Sequence, residues 1–278
     1  MTRFYDDGLL LHGDTANRLY QECSAGKPII DYHCHLNPQE IYDDQPFHNL
    51  GEMWLAGDHY KWRAMRQNGV DERLITGDSS FREKYDAWSA ALPYMIGSPL
   101  YHWTQMELAQ IFDIRRPLNP DTAAAIWDET CSIMADGSLS PRSLIKKFDV
   151  RVICTTDDPC DDLQYHKKLA GEADLHAKVL PTFRPDKLYT GLDTPAFADY
   201  VKQLGTVSGI ATDSFDGFLA AVEARLDYFV SCGCVVSDHS IGHVPTCHGD
   251  KADAARVFAA AIAGDAISTA DYEMYLDF

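Results

Sequence analysis

"KPIIDYHCHLNP", residues 27–38, is a short apolar run that ends in two histidines one residue apart and then in Asn37-Pro38. A brief β-branched run closed by polar and proline punctuation predicts a buried strand from Pro28 to His33. Side chains alternate on an extended chain, so His33 and His35 share one face while Cys34 takes the other. Eleven histidines in 278 residues give about 0.4 His-x-His pairs by composition alone, so the pair needs company before it means anything. Two imidazoles at the carboxyl end of a parallel strand stand where α/β folds build their sites, and they supply half of a tetrahedral shell for a divalent ion. The alternative is a pair satisfied by neighbouring carboxylates or carbonyls.

Three further runs read as strands: Val150 to Thr156 ("VRVICTT"), Ala177 to Phe183 ("AKVLPTF") and Cys232 to Ser237 ("CGCVVS"). Helical patterns such as "DDLQYHKKLAG" and "SFDGFLAAVEARLDYFV" separate them, and that alternation predicts parallel strands with crossover helices. The long interval 37–148 offers no strand. It carries "FHNLGEMWLAG", "DHYKWRAMRQNG", "REKYDAWSAAL", "PLYHWTQMELAQIF" and "NPDTAAAIWDETCSIMADG", several of them closed by a glycine. The expected organisation is an N-terminal segment and first strand over 1–36, a helical insertion over 37–148, and strands two to four with their helices over 149–278. Four strands are too few to close an eight-stranded barrel. The final stretch "ISTADYEMYLDF" starts like a helix, with Ser268 or Thr269 as N-cap, and stops without a glycine or a polar tail, as though the sequence were cut there.

Bulk composition narrows the function. A hydrophobic share of 46% suits a packed core, and no stretch approaches the roughly 20 apolar residues needed to cross a bilayer. "MTRFYDDGLL" lacks the apolar core of a secretory signal, so a cytoplasmic location is expected. A formal charge of −18 repels nucleic acid and anionic membranes, and an anionic small substrate would need a local arginine or lysine to work against that field. Eight scattered cysteines without C-x-x-C spacing read as free thiols, several buried.

Candidate polar residues cluster in four places. In "GDHYKWRAMRQNGV", residues 57–70, Asp58 caps a helix and leaves His59 and Tyr60 in a first turn that favours an anion, while Lys61 and Arg66 read as a solvated basic face. "TFRPDK" puts Arg184 just past the third strand, where a guanidinium fork suits a carboxylate. In "TTDDPCDD" the acids Asp161 and Asp162 read as loop caps. In "VVSDHSIGH" either Asp238 or His239 can face a pocket, but not both if strand alternation persists. Neither a G-x-G-x-x-G or Walker loop nor a G-x-S-x-G elbow is present, which disfavours nucleotide binding and serine hydrolysis.

Taken in order, "DYHCHLNPQEI", "WLAGDHYKWRAMRQNGV", "GSPLYHWTQMEL", "TTDDP", "LPTFRPDK" and "SDHS" resemble the uronate isomerase (glucuronate isomerase) family of the amidohydrolase superfamily, from near residue 1 to the end. The resemblance implies a metal-associated (β/α)8 TIM barrel of the metal-dependent hydrolase type, here about its first four strands, which interconverts D-glucuronate with D-fructuronate and D-galacturonate with D-tagaturonate. It implies His33 and His35 as ligands of a divalent metal, zinc foremost, Tyr60 as a catalytic residue and Arg184 as a substrate-binding residue; His59, beside Tyr60 in the anion-favouring first turn, is the other substrate-binding candidate. It also implies that a further histidine and an aspartate lie beyond this sequence, with the general base among what is missing. The expected partner is a small hexuronate, with no nucleic acid and no membrane, and a homo-oligomer is compatible. Metal-dependent hydrolysis and an inactive N-terminal fragment are the rival readings.

Overall fold

A computed structural model describes residues 10–278, so Met1 to Leu9, including most of the stretch read above as lacking a signal, lies outside the described residues. Three strands, β1 (Ile29–Asp31), β2 (Val150–Cys154) and β3 (Lys178–Leu180), form a parallel sheet in the order β1-β2-β3. Ile30 pairs with Val152, and Ile153 with Val179. The α/β class and the parallel pairing agree with the sequence reading. The fourth expected strand, Cys232 to Ser237, is reduced among the described residues to a single parallel bridge between Phe183 and Ser237.

The reason is local. Cys232, Gly233 and Cys234 donate their N–H groups to the carbonyls of Tyr228, Val230 and Phe229, closing the preceding helix, and Gly233 turns the chain at φ 98°. Only Val236 and Asp238 are left to exchange hydrogen bonds with Phe183, at 3.3 and 3.2 Å. Parallel sheets are normally covered on both faces, yet Ile30 on β1 and Val235 are 65% and 72% exposed.

In chain order the α-helices are α1 (Asp14–Leu19), α2 (Pro38–Asp43), α3 (Leu50–Leu55), α4 (His59–Gln67), α5 (Phe81–Ala91), α6 (Pro99–Phe112), α7 (Ala123–Met134), α8 (Pro141–Lys147), α9 (Gln164–Ala170), α10 (Pro195–Ser208), α11 (Phe215–Ser231), α12 (Lys251–Ala263) and α13 (Thr269–Asp277). The chain divides into two compact units, a helical one of residues 1–27 and 44–144 and an α/β one of residues 28–43 and 145–278.

In the helical unit Leu50, Trp54, Met65, Tyr85, Trp88 and Leu108 are almost wholly buried in one core, and Tyr85 anchors it by donating to the Ala123 carbonyl at 3.0 Å. Its helix starts are capped by side chains, Asp58 as the sequence predicts: Asn49 accepts from Glu52 N, Asp58 from Tyr60 N and Lys61 N, and Ser80 forms a capping box with Glu83.

The α/β unit has a cluster of Ile41, Ile145, Ile153, Leu169 and Val179 around the strands, and a second of Phe197, Leu204, Phe215, Phe218 and Phe258 among α10, α11 and α12. Buried Arg225 on α11 donates to the carbonyls of Pro159 and Asp161, 2.7 Å each, and so ties the loop after β2 to that helix. Ser268 proves to be the N-cap of α13. The cysteines are free, with Cys154, Cys160 and Cys234 buried. No helix among the described residues is long and apolar enough to cross a membrane.

Candidate functional site

β1 stops at Asp31, so His33 and His35 sit beyond it rather than on it, which corrects the strand boundary at Pro28 to His33. Their placement has a different origin. Cys34 donates its N–H to Cys154 O at 3.0 Å and accepts at its carbonyl from Thr156 Oγ1 at 2.8 Å, pinning the segment to the end of β2. Burial pushes the Cys34 thiol up to about 11, whereas the rings on either side of it are exposed. The His33 and His35 rings meet edge to face with centroids 5.1 Å apart. Asn37 then accepts from Gln39 N and starts α2.

His33 Nδ1 lies 3.3 Å from Asp238 Oδ2, and Arg184 Nη1 lies 3.1 Å from the same oxygen. That oxygen has lost contact with solvent, and neither side chain addresses it along a good hydrogen-bond direction. Arg184 is held more firmly on its other side, where Nε donates to Asp186 Oδ2 at 2.8 Å. Asp186 in turn accepts from Ser240 N and from the Tyr189 hydroxyl. Burial opposes ionisation of Asp186, but these three donors and the guanidinium charge outweigh it and hold its carboxyl below the usual range. Asp238 rather than His239 turns toward His33. His239 instead lies 3.3 Å from Ser237 Oγ.

A layer below, Asp157 Oδ2 accepts from Thr155 Oγ1 at 2.7 Å and from Thr182 N at 2.9 Å, while His166 Nε2 lies 2.7 Å from the same threonine hydroxyl. Burial pushes the His166 imidazole toward its neutral form, with Asp157 acting the other way. The Asp157 carbonyl receives Arg184 N at 3.0 Å, so this buried group fixes the backbone of the arginine. A cavity of about 620 Å³ opens beside it, lined by His35, Thr156, Asp157, Asp161, Asp162 and His166 among others. Asp161 and Asp162 do act as loop caps, accepting from Asp158 N and Gln164 N. The sequence reading missed Asp157, His166 and Asp186. The signal for Asp186 was its position two residues after Arg184.

In the helical unit Asp58 caps α4 as expected, and His59 and Tyr60 occupy its exposed first turn with ring centroids 4.3 Å apart. The guanidinium of Arg63 lies 5.5 Å from the Tyr60 ring. Arg66 is solvated and paired with Glu72. Lys61 is not on a solvated face: it is 7% exposed and its Nζ lies 2.7 Å from Asp58 Oδ2.

The described residues contain no group of three His, Cys, Asp or Glu side chains arranged to hold a metal ion. The donor chemistry at His33 and His35 nevertheless fits two ligands of such an ion, because two exposed imidazoles with ring centroids 5.1 Å apart present nitrogen donors on neighbouring positions beside the Asp238 carboxylate.

The family model described as glucuronate isomerase matches residues 1–278. The chain belongs to that family. Relatives named uronate isomerase include those of Bacillus velezensis, 47% identical over 277 residues, and Caldicellulosiruptor bescii, 43% identical over 275, each alignment covering 99% of this chain and 59% of the relative. The chain therefore spans about three fifths of the length of the curated relatives it matches. Among solved structures, the uronate isomerase from Thermotoga maritima superposes with a TM-score of 0.90 at 32% identity, covering 99% of this chain and 60% of that one. The glucuronate isomerase from Caulobacter crescentus shares the fold at TM-score 0.85 and 23% identity, covering 98% and 58%. This family membership agrees with the resemblance read from the six motifs.

Proposed function

We propose that this chain supplies the substrate-holding part of a cytoplasmic uronate isomerase, on a (β/α)8 barrel to which β1, β2 and β3 contribute. Its substrates are D-glucuronate and D-galacturonate, converted to D-fructuronate and D-tagaturonate. The observation that carries the reading is 47% identity to a uronate isomerase over 99% of the chain.

Aldose-to-ketose conversion moves a proton from C2 to C1 through an enediol. It requires a grip on the carboxylate, a donor at the carbonyl oxygen and a base near C2. Arg184 takes the carboxylate, Tyr60 donates its phenolic proton, and His59 binds the sugar acid. The base belongs to residues outside this sequence.

Charge balance supports a divalent ion at His33 and His35. Arg184 carries one positive charge against the two negative charges of Asp186 and Asp238, which leaves the cluster unfavourable to an anion. A divalent cation on the two imidazoles reverses that sign, and when bound it supplies Lewis-acid polarisation of a substrate oxygen. Zinc suits the nitrogen donors.

The test is to incubate each hexuronate with the whole encoded protein, including any codons past 278, and to follow products by NMR and mass spectrometry. A keto acid of unchanged mass is expected, together with bound zinc that falls when His33 and His35 are replaced by Asn. No conversion of either substrate refutes the proposal, and two products formed with uptake of water would establish hydrolysis in its place.

A further inference from the structure

Arg184 has more contacts than a carboxylate clamp needs. A guanidinium carries N–H groups on three nitrogens, and a bidentate grip on a carboxylate uses only two of them. Nε is committed to Asp186 Oδ2 at 2.8 Å, and Nη1 stands 3.1 Å from Asp238 Oδ2. The first of these has hydrogen-bond geometry and the second does not. Asp186 is therefore the firm anchor of the arginine.

A spacing of two residues does not make such an anchor by itself. Arg115 and Asp113 are also two apart, with Nε 3.2 Å from the carboxylate, but Asp113 is 87% exposed. An exposed carboxylate of that kind holds little in place. Asp186 differs because its other oxygen is taken: Oδ1 accepts from Ser240 N at 2.9 Å and from the Tyr189 hydroxyl. Burial, and then the Asp186 carboxylate, push the Tyr189 hydroxyl above its ordinary range, so it stays a donor. The backbone repeats the tie, since the Asp186 carbonyl accepts from Tyr189 N and Thr190 N at 3.2 and 3.0 Å. Buried Tyr275 on α13 donates to the Leu188 carbonyl at 3.0 Å and roots the same turn in the core. One carboxylate thus joins the loop after β3, the segment that carries Asp238 and the guanidinium between them.

Charge alone gives Asp186 the opposite value. It brings a negative charge within hydrogen-bond reach of the group that is to meet an anion, and by Coulomb's law that weakens anion binding. A bystander charge and an anchor therefore predict opposite signs when the carboxylate is neutralised.

We propose that Asp186, braced by Tyr189, is a positioning residue for Arg184, fixing the plane of the guanidinium so that its free N–H groups meet the substrate carboxylate. The inference rests on the reading of Arg184 as the clamp for the hexuronate.

The experiment compares steady-state turnover of D-glucuronate by the whole encoded protein with that of Asp186→Asn and Tyr189→Phe. Asp186→Asn keeps an acceptor for Ser240 and Tyr189 but loses the charged acceptor for Arg184 Nε. Misdirecting one charge-assisted hydrogen bond to the substrate is worth about 10-fold or more, so KM is expected to rise at least ~10-fold, with kcat changed less than ~3-fold. Tyr189→Phe keeps the charge and loosens it, and a KM rise of about 3-fold is expected. A KM for Asp186→Asn at or below that of the parent makes the carboxylate a bystander and overturns the proposal. If thermal unfolding shows that Asp186→Asn does not fold, Tyr189→Phe decides, and an unchanged KM there overturns it.

Repeating the substitutions on an Arg184→Leu background separates this inference from the reading beneath it. There each is expected to lower kcat/KM less than ~2-fold, because the group that is positioned is gone. An undiminished loss on that background overturns the inference while leaving Arg184 in its role. Unchanged kcat/KM in Arg184→Leu itself removes the role, and the inference with it.

Discussion

Two charged clusters in this chain are built from the same parts and are put to opposite use. At the strand ends of the α/β unit, Arg184 is held by Asp186 and Asp238 but stays partly exposed, with N–H groups left over for a ligand. Beneath α4 in the helical unit, Lys61 is held by Asp58 and is closed off from water. An exposed ion pair contributes little to stability and remains free to exchange partners, whereas a buried one cannot change partners without a large penalty. The first arrangement suits a group that must meet a substrate. The second suits a scaffold that must not move.

Breaking the exposed cluster is expected to have the largest effect on activity. Arg184→Leu in the whole encoded protein removes two charge-assisted hydrogen bonds to a carboxylate, worth about 100- to 1000-fold in kcat/KM for a hexuronate. Turnover of a neutral aldose should be little changed, and equal losses on both substrates would remove the clamp role. Stability should hardly respond, because the guanidinium is only part-buried.

The buried support below Arg184 should behave in the other way. Asp157→Ala strands the Thr182 N–H in the interior, while the Thr155 hydroxyl keeps the Leu180 carbonyl and His166, and a buried polar group left unpaired costs about 1–3 kcal/mol. Urea unfolding should therefore show a loss of about 1–3 kcal/mol. A loss under 1 kcal/mol would mean that water or His166 replaces the carboxylate.

The caps sharpen the comparison further. Ser80→Ala removes an ordinary N-cap, about 1 kcal/mol. Asp58→Ala removes a cap and also deprives Lys61 of its closest partner, so about 3 kcal/mol or more is expected. Equal losses for the two caps, read from urea midpoints, would show that Lys61 relaxes into water when Asp58 is gone.

The sequence made much of this visible, to a depth set by pattern length. Asp58 and Ser268 are legible as caps because a cap is a local event, read from its own residue and the few that follow. The starts of β1, β2 and β3 are legible because each run is apolar and β-branched. The end of β1 was overestimated, since the tertiary hydrogen bonds to Cys154 and Thr156, more than a hundred residues away, decide where Cys34 lies. "CGCVVS" misled because its first three amides serve the end of α11, a use that composition does not reveal. Lys61 was misread although the pattern held the clue. Positions 61, 64 and 65 fall at i, i+3 and i+4, so the lysine lies on the same apolar stripe as Ala64 and Met65. Periodicity rather than charge decides on which side of the helix it lies.

The smallest expected effect separates two carboxylates, Asp186 of the α/β unit and Glu107 of the helical unit, by the sign of their pH dependence. The Asp186 carboxyl is held below its ordinary value, so its contribution to stability is present above the unfolded aspartate range and is lost as pH falls through the lower folded value. The Glu107 carboxyl is raised by burial, so its contribution is fully present below the unfolded glutamate range and is lost as pH rises through the higher folded value. Acidification from neutral pH should therefore strengthen the contribution of Glu107 and weaken that of Asp186. Subtracting the unfolding free energies of Glu107→Gln and Asp186→Asn from those of the parent, across pH 3 to 7, isolates the two curves, with the range chosen to span the reference values near 4. Opposite slopes are expected. Parallel slopes would mean that nearby charges outweigh the burial of Glu107 and keep its carboxylate ionised in the folded protein.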